Sequence, residues 1–189
     1  GRITYNFEED IIASAKTICK RYKGNQAHAE YLEQMAGRFF DLLQKYHGLG
    51  ERERLLLRLA AILHDCGKFI SMSAPGECAY QIIMSTEILG ISHMEREMVA
   101  CIVRYNTMEL PNFREFDGKL GNDEYLIVMK LAAILRVCNA LDRSHRQKFA
   151  DMKLTIKDSN IVITTAYPDN ITLEKKSLQD KQDFFEEVY

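Results

Sequence analysis

The sequence lacks the features that mark several large protein classes. It has no tryptophan, only three prolines and no low-complexity linker, which favours one compact unit with a small appendage at most. No apolar run approaches the roughly 20 residues of a membrane-spanning helix, so we expect no such helix and no membrane partner. The 25 lysines and arginines nearly balance 27 aspartates and glutamates, for a net charge of −2. We therefore expect no nucleic-acid partner, although a local anion-binding groove is compatible with this balance.

The cysteines are odd in number and widely spaced, with no CxxC pair: Cys19, Cys66, Cys78, Cys101 and Cys138. This spacing favours reduced, structural thiols, which are typical of proteins inside a cell, so we expect a cytoplasmic protein. The chain begins without Met and shows no cationic lead followed by an apolar core. We therefore expect a tag remnant or a piece of a longer chain, with no secretory signal.

What is present is an ordinary globular composition, 47% apolar and 28% charged, with helical periodicity over most of the length. Apolar side chains that recur at steps of three and four residues predict six helices, at 7–22, 25–47, 51–65, 75–89, 92–105 and 122–144. Between the last two, Pro111 and Gly118 indicate a loop.

The last 40 residues change character. Two β-branched segments, 152–157 and 161–166, flank Asp158-Ser159-Asn160 and predict a β-hairpin, and a short closing helix is predicted at 180–189. The predicted fold class is therefore mainly α. We expect an all-helical domain over residues 1–148 and a small α+β appendage over residues 149–189.

Polar side chains interrupt the apolar faces of three predicted helices. His28 lies on the apolar face of the second helix, His64-Asp65 ends the third, and Asn139 lies on the apolar face of the last long one, one turn before Asp142. Each residue alone is explained by a hydrogen-bonded position in the core. Together they also fit one shared cation pocket, and the pattern leaves both interpretations open.

The order of these residues resembles the HD superfamily of helical metal-dependent phosphohydrolases. That resemblance implies an HD-like helical bundle with a metal site at His28, His64, Asp65 and Asn139, where Asn139 replaces the late Asp of the family. Two imidazoles, one carboxylate and one amide offset less of a divalent charge than a set with two carboxylates. We therefore expect no tightly bound cofactor, and at most weak binding of Mg²⁺ or Mn²⁺. Asp142 could supply a second carboxylate only if the helix were rotated.

Five longer stretches carry a more specific pattern: AHAEYLEQMAGRFFDLL, LLLRLAAILHDCGKFI, EREMVACIVRYN, LAAILRVCNALDRSH and LEKKSLQDKQDFFEEVY. In this order they resemble the C-terminal half of the exopolyphosphatase / guanosine pentaphosphate phosphatase (Ppx/GppA) family. Longer members carry an N-terminal pair of actin-like ATPase-type domains that cleave phosphoanhydrides, then an HD-like helical domain and a small α+β tail. The resemblance implies that this chain corresponds to the last two parts.

Three polar positions depart from the pattern of those longer members. Glu77 and Asn106 stand where His is usual, and Asn139 stands where Asp is usual. These departures indicate that hydrolysis at an HD metal centre is not maintained. We therefore assign no catalytic residue within this chain.

A set of basic residues stays intact and is a candidate for phosphate binding: Lys68, Arg104, Arg136, Arg143 and His145. Guanidinium groups bind phosphate through paired hydrogen bonds, and Arg136 and Arg143 lie seven residues apart, on one predicted helical face. The alternative is that these cations pair with nearby carboxylates such as Asp65, Glu77 and Asp142.

Three functions are compatible with the sequence. The first is a module that binds polyphosphate or guanosine pentaphosphate and forms a homodimer, with hydrolysis carried by N-terminal domains absent from this sequence. The alternative is a stand-alone metal-dependent HD phosphohydrolase that acts on a nucleotide. The third is a structural domain with a vestigial pocket. The sequence does not decide whether the chain is itself an enzyme.

Overall fold

The computed structural model describes residues 7–109, 112, 114, 120–165 and 170–189. These residues form seven helices and one hairpin: α1 (Glu8–Arg21), α2 (Gln26–His47), α3 (Glu51–Leu63), α4 (Pro75–Ser85), α5 (His93–Arg104), α6 (Asn122–Leu141), β1 (Lys153–Lys157), β2 (Asn160–Thr164) and α7 (Thr172–Val188). The prediction of a mainly α fold with a hairpin tail is confirmed. Pro111 and Gly118 of the predicted loop, and Ala166 at the end of the predicted second strand, lie outside the described residues.

Short-range signals fix where the helices begin. The Oδ1 of Asn25 accepts a hydrogen bond of 3.0 Å from the backbone N–H of His28 and so caps α2. Ser92 and Glu95 form a reciprocal capping box at the start of α5, with hydrogen bonds of 3.1 and 2.8 Å. Pro75 occupies the first turn of α4, where a backbone N–H is not needed. The Asn25 cap bears on the candidate site because it holds His28 in the first turn of α2.

The core is built around α3, whose apolar residues are all buried. This helix packs against α1, α2, α5 and α6, and α6 packs in turn against α2, α5 and α7. Leu57, Ala60 and Leu63 have no exposed surface. Burial of one leucine side chain is worth roughly 1.5–3 kcal/mol, so α3 is firmly anchored. The residues that follow it, His64 and Asp65, therefore have a fixed place inside the molecule.

Two helices end earlier than the periodicity predicted. α3 ends at Leu63 rather than at residue 65, and α6 ends at Leu141 rather than at residue 144. After α3 the chain continues in tight turns, with Cys66 N–H donating to Leu63 O at 3.0 Å. The predictions of the two helix ends are wrong. Apolar residues continue at helical spacing through these turns, but the i→i−4 backbone hydrogen bonds of an α-helix do not. The predicted end of α4 at residue 89 is also too late, since that helix ends at Ser85.

The hairpin packs its inner face on the helical domain. β1 and β2 pair in antiparallel register, with Leu154 opposite Ile163 and Ile156 opposite Ile161, and β1 contacts α2. The four side chains are half-buried, while their neighbours along each strand are exposed. This alternation is the pattern from which the hairpin was predicted.

The predicted closing helix at 180–189 is present and ends at Val188, but its predicted start at residue 180 is wrong. α7 begins at Thr172, whose backbone N–H donates to the Oδ1 of Asn170 at 2.8 Å. The carboxylate of Glu174 is fully buried and accepts hydrogen bonds from Ser144 Oγ at 2.6 Å and Lys148 Nζ at 3.3 Å. The first half of α7 is mostly polar, so its periodicity was weak. The contacts that stabilise it come from residues 26 and 30 positions earlier.

Two general expectations can be compared with this structure. No helix among the described residues is long and apolar enough to cross a membrane. All five cysteines are free and four of them are buried. Burial raises the pKa of the Cys66 thiol to about 12, as suits a structural cysteine. The predicted domain boundary between residues 148 and 149 stays a prediction.

The hairpin turn gives a test of the fold. Asp158 and Ser159 have φ angles of +51° and +62°, which Gly adopts without the steric cost that a Cβ atom brings. We expect Ser159→Gly to raise the free energy of unfolding by roughly 0.5 kcal/mol, the net of relieved strain and added chain entropy. Urea denaturation followed by circular dichroism measures it. Ser159→Ala is the control, and an equal gain for Ala would contradict the turn geometry.

Candidate functional site

Side chains from α2 and from the end of α3 meet in one buried pocket. The Nε2 atoms of His28 and His64 lie 3.0 Å apart. The Oδ2 of Asp65 lies 3.3 Å from the Nε2 of His64 and 3.9 Å from that of His28. One ligand atom from each of the three residues falls within 4.8 Å of the others. His28 has no exposed surface and His64 is 6% exposed, so the group is largely shielded from solvent.

The fourth residue that the HD resemblance implied lies at the same place. The Oδ1 of Asn139, in the last turn of α6, is 3.2 Å from the Nε2 of His28. The structure therefore brings together all four of the residues assigned to the pocket from sequence. We call His28, His64, Asp65 and Asn139 the histidine pocket.

Each imidazole is oriented by an oxygen on its far side. The Nδ1 of His28 lies 2.6 Å from the Oδ2 of Asp142, and the Nδ1 of His64 lies 2.7 Å from the backbone oxygen of Ala61. A carboxylate and a carbonyl can only accept, so both Nδ1 atoms donate. In the neutral state both Nε2 atoms then present lone pairs to each other. This opposition needs a cation or a second proton between them, and it is the arrangement that holds metal-ligating histidines in place.

Asp142 therefore supports His28 and does not take the place of Asn139 as a ligand. Its carboxylate is fully buried, and it also accepts hydrogen bonds from the backbone N–H of Gln147 at 2.7 Å and from the Nε2 of Gln147 at 3.2 Å. From the sequence, Asp142 was considered as a substitute ligand and as a carboxylate that could pair with the basic residues, but not as the acceptor that orients His28. Its supporting role depends on the turn after α6, which periodicity does not describe.

That turn also covers the histidine pocket. His145 and Gln147 have φ angles of +57° and +51°, a backbone conformation that costs L-residues roughly 1–2 kcal/mol each. The ring of His145 stacks on that of His28, with centroids 3.7 Å apart and an interplanar angle of 16°. Burial, and next the neighbouring His28, lower the pKa of His145. A predicted phosphate-binding residue is thus part of the wall of the pocket.

The charge of the histidine pocket comes from Asp65. Burial acts to raise the pKa of its carboxyl, but His64 and Lys68 outweigh burial and hold the pKa well below its usual range. The Nζ of Lys68 lies 2.9 Å from the Oδ1 of Asp65. A single carboxylate that already faces an ammonium group offsets little of a divalent charge. The donor set still fits a cation, and its two imidazoles favour Mn²⁺ over Mg²⁺.

Two of the predicted phosphate-binding residues pair with carboxylates. Lys68 faces Asp65 as described, although its side chain is 46% exposed. The Nε of Arg104 lies 2.7 Å from the Oε2 of Glu77, and its guanidinium lies 4.6 Å from the centroid of the Tyr80 ring. Lys68 and Arg104 therefore fit the alternative interpretation, in which the basic residues pair with nearby carboxylates. Glu77, a position where the longer family members tend to have His, serves as the partner of Arg104.

Arg136, about one turn before Asn139 on α6, is held away from solvent. It is 9% exposed, donates from Nε to the backbone oxygen of Tyr105 at 2.8 Å, and also donates to the backbone oxygen of Met108. Its guanidinium lies 4.3 Å from the centroid of the Phe184 ring on α7. Burial lowers its pKa. Arg136 thus adds positive potential where α6 packs on α7, but the N–H groups that donate to Tyr105 and Met108 are not free to bind a ligand.

Lys181, on α7, is a further basic residue near Arg136, and the sequence analysis did not identify it as a candidate for phosphate binding. Lys181 lies one turn before Phe184, on the helix face that Arg136 contacts. Burial lowers the pKa of Lys181, and the charges of Arg136 and Arg143 lower it further, against the opposing charge of Asp180. Arg143 itself is exposed. We call Arg136, Arg143 and Lys181 the basic cluster; only the packing of α7 on α6 could have revealed it.

Comparison with known proteins agrees with the sequence resemblance. The family model described as Ppx/GppA phosphatase, domain III, matches residues 12–182, which is nearly the whole chain. This chain belongs to the Ppx/GppA family. A search of curated proteins found no match. The match covers the helical domain, the hairpin and most of α7, so the predicted family is confirmed for both parts of the chain.

In this Ppx/GppA domain, the bond between Asp142 and His28 gives a test of the site. Asp142→Ala leaves buried donors of His28 and Gln147 without their acceptor, which costs about 2–4 kcal/mol. We expect the free energy of unfolding to fall by that amount in equilibrium urea denaturation. Asp151→Ala, at an exposed carboxylate, is the matched control and should change it by less than about 0.5 kcal/mol. Equal effects of the two substitutions would contradict the supporting role.

Proposed function

We propose that this chain is the phosphate-chain-binding domain of a Ppx/GppA phosphatase, with polyphosphate or guanosine pentaphosphate as its ligand. Hydrolysis of the terminal phosphoanhydride is then carried by actin-like ATPase-type domains elsewhere in the parent chain. The observation that carries this proposal is the basic cluster: the guanidinium of Arg136 lies 4.3 Å from the ring of Phe184, one turn after Lys181, and the charges of Arg136 and Arg143 act on Lys181 and lower its pKa. Like charges brought together repel one another, and a polyanion relieves that repulsion.

The members of the basic cluster contribute in different ways. Arg143 is exposed and Lys181 half-buried, so both can contact phosphate oxygens directly. Arg136 is almost fully buried and strengthens the local positive potential. Lys68, beside the histidine pocket, adds a further exposed ammonium group. A chain of phosphates, with one charge or more per unit, suits such a spread of cations better than a single phosphate does.

The histidine pocket supports a role in binding rather than in hydrolysis. Among the described residues, Asp65 is the one carboxylate grouped with the two imidazoles, and Lys68 already faces it at 2.9 Å. Asn139 supplies an uncharged oxygen where a second carboxylate would tighten a cation. Family membership is the basis for two further parts of the proposal, a homodimer and a cytoplasmic location.

Binding of long-chain inorganic polyphosphate tests this function. We expect the double variant Arg143→Ala/Lys181→Ala to weaken binding by about 10-fold, because each exposed charge contact is worth about 0.2–1 kcal/mol and a multivalent chain engages both. Calorimetric titration of the whole chain at fixed salt measures the affinity.

The matched control is Lys45→Ala. Lys45 is an exposed lysine near the end of α2, 17 residues and about 25 Å along the helix from His28. Its removal makes the net charge of −2 more negative by one, so it reports the effect of overall charge alone. Equal losses in the control and in the double variant, or no binding by the unchanged chain, would refute the proposed function.

A second candidate is a stand-alone metal-dependent phosphohydrolase acting on a nucleotide. The facing Nε2 atoms of His28 and His64, each with its Nδ1 held by an oxygen, favour it. His28, His64, Asp65 and Asn139 would hold the cation, which when bound would polarise a phosphoryl oxygen or activate a water. The residues of the chain itself orient the two rings and exclude solvent from them.

Metal binding separates the two candidates. Under the first proposal we expect Mn²⁺ to be removed by dialysis and no phosphate to be released from GTP, since one carboxylate holds a divalent ion weakly. Asn139→Asp restores the second carboxylate and should tighten Mn²⁺ binding by about 10-fold or more. Metal analysis after dialysis and a phosphate-release assay measure both, with His64→Ala as the negative control. Tightly held metal with turnover that His64→Ala abolishes would favour the second candidate.

A further inference from the structure

A cavity of about 300 Å³ separates the hairpin from α7. Four elements contribute to its lining: α2, α6, β2 and α7. Its apolar lining consists of Phe39, Val137, Ile161, Ile163, Leu178 and Phe185. Of the described residues that line it, none belongs to the histidine pocket or to the basic cluster. Ligand sites in proteins are concave, mostly apolar and begin at about this volume, so the cavity can hold one small molecule.

The inner face of β2 is only partly covered at this cavity. Ile161 and Ile163 are the inward residues of the strand, yet both are only half-buried. Both line the cavity, together with Leu178 and Phe185 of α7. Apolar side chains that face a cavity forgo dispersion contacts with neighbours, and the apolar part of a ligand would supply those contacts.

The lining of the cavity is held in place by contacts outside it. The ring of Phe185 stacks on that of Tyr189, with centroids 4.8 Å apart and an interplanar angle of 19°. The hydroxyl of Tyr189 donates to the backbone oxygen of Lys130 on α6 at 3.0 Å. Phe39 of α2 has no exposed surface. Because these side chains are already fixed, a ligand would bind without the entropic cost of ordering them.

The charge of the lining comes from one carboxylate. Of the described residues that line the cavity, Glu186 alone is charged. It accepts a hydrogen bond of 2.7 Å from the Nε2 of Gln182, a neutral side chain that also lines the cavity. Glu186 is exposed, so its charge lies where the cavity meets solvent. The lining therefore attracts a cationic group and repels an anionic one.

We propose that this cavity binds a small amphipathic amine, whose apolar body lies between β2 and α7 and whose ammonium group contacts the carboxylate of Glu186. Such a ligand matches both features of the lining, the apolar walls and the single negative charge. A ligand with a carboxylate or phosphate group would be repelled by Glu186, and a neutral ligand would lack the ion pair. The site is thus separate from phosphate binding, and the inference does not depend on the proposed function.

Three probes of similar shape test the class of ligand: 3-phenylpropylamine, 3-phenylpropan-1-ol and 3-phenylpropanoate. Each is titrated into the whole chain, and the methyl resonances of Ile161 and Ile163 report binding in NMR spectra. We expect the amine to shift both resonances until the site is saturated, the alcohol to bind about 3-fold more weakly and the propanoate more weakly still. Ile12 of α1, which is buried in the core and outside the lining, is the internal reference and should not shift.

Substitutions in the lining give a second readout. Glu186→Gln removes the charge and keeps the shape of the side chain, so it should weaken binding of the amine by about 3-fold and leave binding of the alcohol unchanged. The matched control is Glu187→Gln, which removes the adjacent exposed carboxylate, outside the lining. Leu178→Phe should abolish binding of both probes, because the added ring occupies the space that their apolar body needs.

Three results would overturn the inference. If no probe shifts Ile161 and Ile163, the cavity is not a ligand site. If the alcohol binds as tightly as the amine, or if Glu187→Gln weakens the amine as much as Glu186→Gln does, the ligand class is wrong. If Leu178→Phe keeps the circular dichroism of the unchanged chain and also its affinity for the amine, the ligand binds elsewhere. Polyphosphate affinity is measured separately, so each of these results leaves the proposed function standing.

Discussion

The histidine pocket depends on the hydrogen bond between His28 Nδ1 and Asp142 Oδ2, at 2.6 Å between two side chains with no exposed surface. This bond fixes the tautomer of His28 and turns its Nε2 towards His64. It also joins the first turn of α2 to the turn after α6, which are 114 residues apart in the chain. Without it, the buried Nδ1 of His28 would lose its acceptor and the carboxylate of Asp142 would keep only its bonds from Gln147, at a cost of about 1–3 kcal/mol.

The same turn links the site to the tail of the chain. Asp142, His145 and Gln147 form the wall behind His28, and Ser144 and Lys148 hold the buried Glu174 at the start of α7. α7 in turn brings Lys181 towards Arg136 and Arg143. The segment 142–148 therefore contacts His28 of the histidine pocket through Asp142 and His145, and it also carries Arg143 of the basic cluster.

Charge is the feature of the histidine pocket on which our proposal of binding rather than hydrolysis depends. Asp65 provides one negative charge, Lys68 faces it, and Asn139 provides a neutral oxygen. The rings are arranged as in a metal centre, while the charge that would hold a hard cation is reduced. Such an arrangement is consistent with a domain in which the position of the rings and the surrounding cations matters more than a tightly held ion.

The sequence by itself determined the positions of most helices and the hairpin, because apolar periodicity and capping residues act over a few positions. It also determined the family, through the resemblance of five longer stretches. The polar residues that interrupt the apolar faces left two interpretations open, and the resemblance to the HD superfamily assigned His28, His64, Asp65 and Asn139 to one pocket. Only the tertiary structure decided that Asp142 supports His28, that Arg136 is held by backbone oxygens, and that Lys181 joins the basic cluster. It also showed that α7 begins at Thr172. These features depend on contacts between residues far apart in the chain and on turns with left-handed backbone angles, and neither leaves a periodic signal in the sequence.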